Sequence, residues 1–157
     1  MQKISPFLWF DGQAEEAVTF YVSLFKNSKI NMIARYGDEV PHMKGKVLTA
    51  AFVLDGVEFM AIDGGPNYKI NEAISFFVHC EDQAEVDFLW EKLAEGGKPI
   101  QCGWITDRFG ITWQIIPKSL GTLMSDPDPK KSGRVMQAML KMVKIDEALL
   151  YQAYNQE

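Results

Sequence analysis

The same order of elements is predicted twice along the chain, and this repetition constrains the fold more than any other feature. The tripeptide Gln-Ala-Glu occurs at Gln13–Glu15 and again at Gln83–Glu85, both times at the start of a predicted helix. Around each copy, the hydrophobic pattern predicts one strand, the helix and then three strands. We therefore predict an α+β fold of two βαβββ modules, residues 1–66 and 67–118.

The first module opens with Ile4–Phe10, a short apolar run typical of a buried strand. Asp11 is the predicted N-cap of the helix that follows. The pair Asp55-Gly56 favours a two-residue hairpin turn between the last two strands. The three strands after the helix are predicted at Lys29–Tyr36, Val47–Leu54 and Val57–Ile62.

The second module repeats this order from a predicted strand at Ala73–Cys80. Asp82 followed three residues later by Glu85 is a helix-capping pattern. The helix is expected to stop at a pair of glycines, and Lys98–Gln101 is the next predicted strand. The segment Cys102–Pro117 then predicts a hairpin, because two runs rich in β-branched and aromatic residues flank a turn containing Asp and Gly.

The last strand of this hairpin has two chemically different faces. Side chains alternate along a strand, so Ile111, Trp113 and Ile115 share one face while Thr112 and Gln114 share the other. A polar residue in the middle of an apolar strand needs a hydrogen-bond partner or a wet surface. The pattern therefore predicts that one face is core and the other lines something.

Residues 119–157 form a predicted C-terminal helical extension. A polar, proline-containing turn at Asp126–Pro129 precedes a helix with an apolar face. Such a helix could seal a dimer, and we expect a homodimer. A short four-stranded sheet cannot bury both of its faces alone, so the two modules should share a core, either within one chain or across a dimer. The whole chain, 1–157, is predicted to be a single domain. The apolar positions of the helix are Val135, Met136, Met139, Leu140 and Val143.

Composition and charge exclude several classes of partner. The hydrophobic content is 47% of 157 residues and the formal charge is −5, with basic residues spread along the chain. We therefore expect no nucleic-acid partner. No run approaches the length needed to span a membrane, and the first six residues lack a signal-peptide core, so a cytoplasmic protein with no membrane partner is expected. Cys80 and Cys102 are predicted to be buried thiols rather than a disulfide.

Three motifs resemble the PhnB-like group of the vicinal oxygen chelate superfamily. They are Pro6–Ala17 (PFLWFDGQAEEA), Cys102–Gly110 (CGWITDRFG) and Trp113–Pro117 (WQIIP). Asp126–Pro129 and Val135–Met142 extend the resemblance over nearly the whole chain. The superfamily includes glyoxalases, bleomycin-resistance proteins and dioxygenases. Members of this group often carry a demethylubiquinone methyltransferase-like name.

The resemblance implies paired modules whose curved sheets form a cup, commonly around a divalent metal held by His, Glu or Gln. The last strand of this chain carries Gln114 where metal-binding relatives usually have Glu. The first strand contains no such ligand. A divalent ion needs three or more converging ligands. We therefore expect no metal and no cofactor, with a degenerate site of Asp63, Glu72, His79 and Gln114 as the alternative.

A methyltransferase would need a glycine-rich turn between a first strand and a helix. Gly64-Gly65-Pro66 leads into a loop and a strand instead, so the pattern is missing.

Three functions follow from these observations. The first is a small-molecule binding protein of unknown ligand, whose pocket is lined by the strand faces opposite the helices. The second is a metal-dependent lyase or dioxygenase-like enzyme using the degenerate site. The third is a structural or interaction dimer that works through its C-terminal helix. The predicted pocket lining is Leu8, Phe10, Ser75, Phe77, His79, Thr112 and Gln114. Whether any reaction is catalysed stays open.

Overall fold

The computed structural model describes residues 2–156 and divides into two compact units, one ending at Ile70 and one beginning at Asn71. Each unit contains one four-stranded sheet. The elements of the first are β1 (Phe7–Phe10), α1 (Ala14–Leu24), β2 (Lys29–Arg35), β3 (Val47–Leu54) and β4 (Val57–Asp63). A 3-10 turn at Pro41–Met43 lies between β2 and β3.

The first sheet has the order β1-β4-β3-β2, in which β1 is parallel to β4 and the other neighbours are antiparallel. The predicted hairpin at Asp55-Gly56 is confirmed. Both residues have positive φ, 46° and 80°, as a tight turn between twisted strands requires. Strand β1 starts at Phe7, three residues later than predicted.

Helix α1 covers one face of the first sheet. Ala14, Ala17, Val18 and Tyr21 are fully buried on the helix, and Ala50, Phe52 and Ala61 are fully buried on the sheet. The N-cap residue is Gln13, so the prediction of Asp11 was wrong. The first turn of α1 is capped from the sheet instead, because the Ala14 N–H donates to Asp63 Oδ1 at 2.8 Å.

The second unit repeats the order of the first and confirms the predicted duplication. Its elements are β5 (Ser75–Cys80), α2 (Gln83–Ala94), β6 (Lys98–Pro99), β7 (Trp104–Thr106) and β8 (Thr112–Pro117), with the sheet order β5-β8-β7-β6. The predicted cap of α2 is confirmed, since the Glu85 N–H donates to Asp82 Oδ1 at 2.9 Å. Strand β6 is shorter than the predicted strand.

The C-terminal extension belongs to the second unit and consists of α3 (Lys118–Met124), α4 (Pro129–Leu140) and α5 (Glu147–Asn155). The extension has its own apolar cluster, which includes Val135, Ile145 and Leu150 and also Ile116 of β8. Two backbone hydrogen bonds fix it to the start of the β7 hairpin, from Cys102 N to Met142 O and from Gly103 N to Val143 O. Within residues 2–156, no helix is long and apolar enough to cross a membrane.

Candidate functional site

The second sheet buries one face and leaves the other open. Ile105, Trp113 and Ile115 are almost fully buried on the face that α2 covers. Strand pairing places alternate residues of β5, β7 and β8 on the opposite face, because side chains alternate along each strand. This face, the open face of the second sheet, carries Ser75, Phe77, His79, Trp104, Thr106, Thr112, Gln114 and Ile116. Thr112 and Ile116 are buried on it, and Ile116 packs in the apolar cluster of the C-terminal extension.

The open face contains the five residues of the second module that the sequence proposed as pocket lining. Ser75 pairs with Thr112, and Phe77 pairs with Gln114. Phe77 is 48% exposed and His79 is also exposed, whereas Thr112 is fully buried. The structure therefore presents Ser75, Phe77, His79 and Gln114 at this face, and their role in ligand binding stays a prediction.

Two side-chain hydrogen bonds run across this face. Gln114 Nε2 donates to Ser75 Oγ at 3.0 Å, which fixes the amide and uses one of its two N–H groups. The hydroxyls of Thr106 and Thr112 are 2.9 Å apart and share a hydrogen bond. These bonds link neighbouring strands, so the polar groups are held in place before any ligand arrives.

Aromatic rings flank the polar groups. The rings of Phe77 and His79 lie 4.7 Å apart between centroids. Trp104 is half-buried and pairs directly with Gln114 across the β7–β8 ladder. Sequence reasoning omitted Trp104 and Thr106 from the lining. Pairing the two strands of the predicted hairpin antiparallel would have placed both residues on the face that carries Gln114.

Leu8 and Phe10 were assigned to the wrong face of the first sheet. Leu8 pairs with Ala61 and Phe10 pairs with Asp63, and the two side chains are only 8% and 3% exposed. They belong to the core under α1 and cannot line an open surface. The prediction that Leu8 and Phe10 lie on the face opposite the helix was therefore wrong.

The open face of the first sheet carries the intervening residues instead. Phe7 pairs with Met60 and Trp9 with Ile62, and Phe7 is 50% exposed. The Trp9 indole donates to Gly65 O at 2.9 Å, and its ring meets Tyr68 edge-on with centroids 4.9 Å apart. Glu58 of β4 and Thr49 of β3 lie on the same face, so it is mostly apolar and aromatic but also carries polar side chains.

Asp63 has a structural role that the sequence did not reveal. Its side chain is buried on the helix-covered face of the first sheet, where Oδ1 caps α1. Its backbone oxygen also accepts a hydrogen bond from the Tyr36 hydroxyl at 3.2 Å. A carboxylate committed to a helix cap in the core is not available at an open face.

The alternative metal set does not fit the structure. His79 and Gln114 lie on the open face of the second sheet, Asp63 is a helix cap, and Glu72 is exposed in the loop before β5. Among residues 2–156, no three His, Cys, Asp or Glu side chains form a group that could hold a metal. A metal site needs several anionic or imidazole ligands at one point, and these residues do not provide it.

The turn of the β7–β8 hairpin is organised by a buried carboxylate. Asp107 Oδ1 accepts hydrogen bonds from the backbone N–H groups of Phe109 and Ile111, at 2.8 and 3.1 Å. Its Oδ2 accepts one from the Trp113 indole at 2.9 Å. Because Gln114 follows Trp113 directly, these bonds also fix the strand that carries the amide.

The cysteines are free thiols. Cys80 is fully buried at the end of β5, and this burial raises the pKa of its thiol to about 12, with the nearby Glu85 carboxylate adding to the effect. Cys102 is half-buried at the start of the β7 hairpin. A protonated thiol is a weak nucleophile, so we assign Cys80 to the core rather than to a reactive site.

Two four-stranded sheets of identical order, each covered by one helix, define the duplicated βαβββ fold of the glyoxalase-like proteins. A family model of the 3-demethylubiquinone-9 3-methyltransferases matches residues 2–116. A PhnB protein from Bacillus cereus, named as such a methyltransferase, is 40% identical, with a TM-score of 0.70 over 74% of this chain and 99% of its own.

A second solved structure, from Pseudomonas aeruginosa, is 27% identical, with a TM-score of 0.66 over 75% of this chain and 98% of its own. No curated protein matches the chain. The chain belongs to the PhnB-like family, whose model carries the description 3-demethylubiquinone-9 3-methyltransferase, and the predicted PhnB-like resemblance is confirmed. The extension after residue 116 lies outside the matched region.

Proposed function

We propose that this protein binds a small molecule on the open face of its second sheet and that binding needs no metal. The observation that carries the proposal is the fixed amide of Gln114, bonded to Ser75 among three exposed or half-exposed rings. Small-molecule sites combine apolar and aromatic surface with a few well-placed polar groups. The open face of the second sheet has this composition.

The arrangement favours a flat ligand with polar groups at its edge. The rings of Phe77, His79 and Trp104 offer stacking surface. Gln114 offers its remaining N–H and its carbonyl oxygen to a complementary group. A ligand that forms both hydrogen bonds and stacks on the rings uses every feature of this face.

Metal-independent binding is supported by the donor set. His79 is the one imidazole on this face. Its pairing partner on β8 is Ile116, which is apolar and provides no carboxylate. The polar groups present are an amide and hydroxyls, which suit hydrogen bonding better than tight coordination of Zn²⁺ or Fe²⁺.

The proposal is tested with probes of defined chemistry: benzamide, catechol and indole-3-carboxylate, titrated calorimetrically in the presence of EDTA. We expect at least one probe to bind, and Gln114→Ala to weaken that binding about tenfold, because one or two neutral hydrogen bonds are lost. The exposed residue Gln101 provides the control. Gln101→Ala removes an amide from the same hairpin segment and should leave the affinity unchanged.

Equal weakening by Gln114→Ala and Gln101→Ala would refute the site. Binding that appears only after addition of Zn²⁺ or Fe²⁺ would refute metal independence while keeping the location open to mapping. Ser75→Ala provides a second test, since it removes the partner that orients the Gln114 amide. We expect a smaller loss of affinity, about threefold, because the amide itself remains.

A homodimer is the second proposal, and exposed apolar side chains on the extension support it. Met136, Leu140 and Val143 are 45%, 50% and 40% exposed. Met136 and Leu140 lie one turn apart on α4, whereas Val143, predicted to be on the same helix, lies in the loop after it. Neighbouring exposed apolar groups are typical of protein interfaces. Light scattering should give twice the mass of one chain, and Leu140→Ser should shift the protein towards monomer. A monomeric mass at all concentrations would exclude this interface.

A further inference from the structure

We infer that the C-terminal extension holds a second binding site, a groove between α4 and α5 that takes a soluble amphipathic anion, such as a medium-chain carboxylate. The groove has a volume of about 820 Å³. This lies within the range of small-molecule sites in proteins. The groove is formed entirely within the second unit and outside residues 2–116, so it is separate from the open face of the second sheet.

Charge identifies the polar end of the ligand. The described residues that line the groove include three cations, Lys130, Arg134 and Lys141, and no carboxylate. The chain as a whole carries a formal charge of −5. A local cationic lining on an acidic protein attracts anions selectively, because the nearest charges dominate at short range.

Arg134 is preorganised at the groove. Its Nε donates to Ala153 O and one terminal nitrogen donates to Tyr154 O, both at 2.8 Å. These bonds satisfy carbonyls at the end of α5 and hold the guanidinium against the groove. They use two of its five N–H donors, so the group can still bind a carboxylate or phosphate oxygen.

Apolar lining identifies the rest of the ligand. Met142, Leu149, Ala138 and Ala153 also line the groove, and Leu149 is 48% exposed. Gly133 lies on its α4 side, and a Cβ added there would meet nothing within 4 Å. Open space above a helix backbone allows a chain to lie close to it. Cations along the length of α4 and an apolar floor together favour a molecule with an anionic group and a short hydrocarbon tail.

The experiment titrates the full chain with monomeric dodecanoate and follows backbone amides by NMR. We expect shifts in α4 and α5, and the double variant Lys130→Gln/Lys141→Gln to weaken binding at least tenfold. Both lysines are exposed, so the double variant should fold. Arg134 is left intact because it holds the end of α5. The control Lys26→Gln/Lys98→Gln removes two exposed cations elsewhere and should bind like the unchanged protein.

Dodecanol and phosphatidylglycerol vesicles distinguish the alternatives. Dodecanol should bind at least tenfold more weakly than dodecanoate, because it lacks the charge. Equal binding of dodecanol, or no shift in α4 and α5 with dodecanoate, would overturn the proposal. Cosedimentation with the vesicles without binding of monomeric dodecanoate would also overturn it, in favour of a membrane surface. Gln114→Ala should not change dodecanoate binding, so failure here is distinguishable from failure of the first site.

Discussion

The two units have the same order of elements and equivalent sheet orders, yet their open faces differ in chemistry. The first sheet presents mostly apolar side chains, Phe7, Trp9, Met60 and Ile62, together with the carboxylate of Glu58. The second presents an amide, hydroxyls and an imidazole between aromatic rings. Because the helix-covered faces of both sheets are apolar except for Asp63, most of the difference lies at the alternate strand positions. A duplicated fold can therefore keep its cores and specialise one surface.

The units also differ in how their helices begin. Helix α2 is capped by Asp82, which lies directly before it, whereas α1 is capped by Asp63, which is 49 residues from Ala14. The cap of α2 depends only on a short peptide segment. The cap of α1 exists only when β4 is paired with β1, so α1 depends on the sheet for its first turn.

The largest effect is expected at the turn of the second unit. Asp107→Ala leaves three donors without their buried acceptor, and we expect the free energy of unfolding to fall by about 3 kcal/mol. Urea denaturation measures this loss. Asp38→Ala, at an exposed loop position, is the matched control and should change stability by about 0.5 kcal/mol or less. Similar losses for the two variants would contradict the structural role of Asp107.

A smaller effect distinguishes the two helix caps. Asp63→Ala should cost about 2 kcal/mol, because it leaves the buried Ala14 N–H unpaired, and Asp82→Ala about 1 kcal/mol, because that cap is exposed to water. Hydrogen exchange of the amides in α1 and α2 follows each helix separately. Faster exchange of α2 than of α1 in Asp63→Ala would show that the cap does not act locally.

The effect of the thiols is absent at neutral pH and grows only above pH 9. The thiol of Cys80 keeps its proton up to about pH 12 in the folded protein, against an ordinary pKa of 9.0. The folded state then binds more protons than the unfolded state between these values, so stability should fall as pH rises from 9 to 12. Iodoacetamide at mildly alkaline pH should modify Cys102 first. Preferential modification of Cys80 would contradict its burial.

The sequence was sufficient to predict the duplicated fold and which residues of β8 share a face. In β8, the polar residues Thr112 and Gln114 alternate with apolar ones, which fixes the strand face without any tertiary information. The local cap at Asp82 and the turn at Asp55-Gly56 were correct for the same reason. Each depends on residues within a few positions of one another.

The errors come from features without a local signal. Strand β1 is apolar at every position, so alternation could not tell which side chains face α1, and Leu8 and Phe10 were assigned to the open face. The cap at Asp63 and the groove beside Arg134 depend on segments distant along the chain. The sequence listed these residues, but only the fold brings their partners together.

Mapping a flat probe by NMR tests the central claim most directly, because the two open faces give separate signals. With benzamide or catechol in EDTA, we predict shifts concentrated at Ser75, Phe77, His79, Trp104 and Gln114. In Gln114→Ala, the same shifts should need about tenfold more ligand. Shifts confined to the open face of the first sheet, around Phe7 and Met60, would contradict the account. So would shifts at the second sheet that require an added divalent metal.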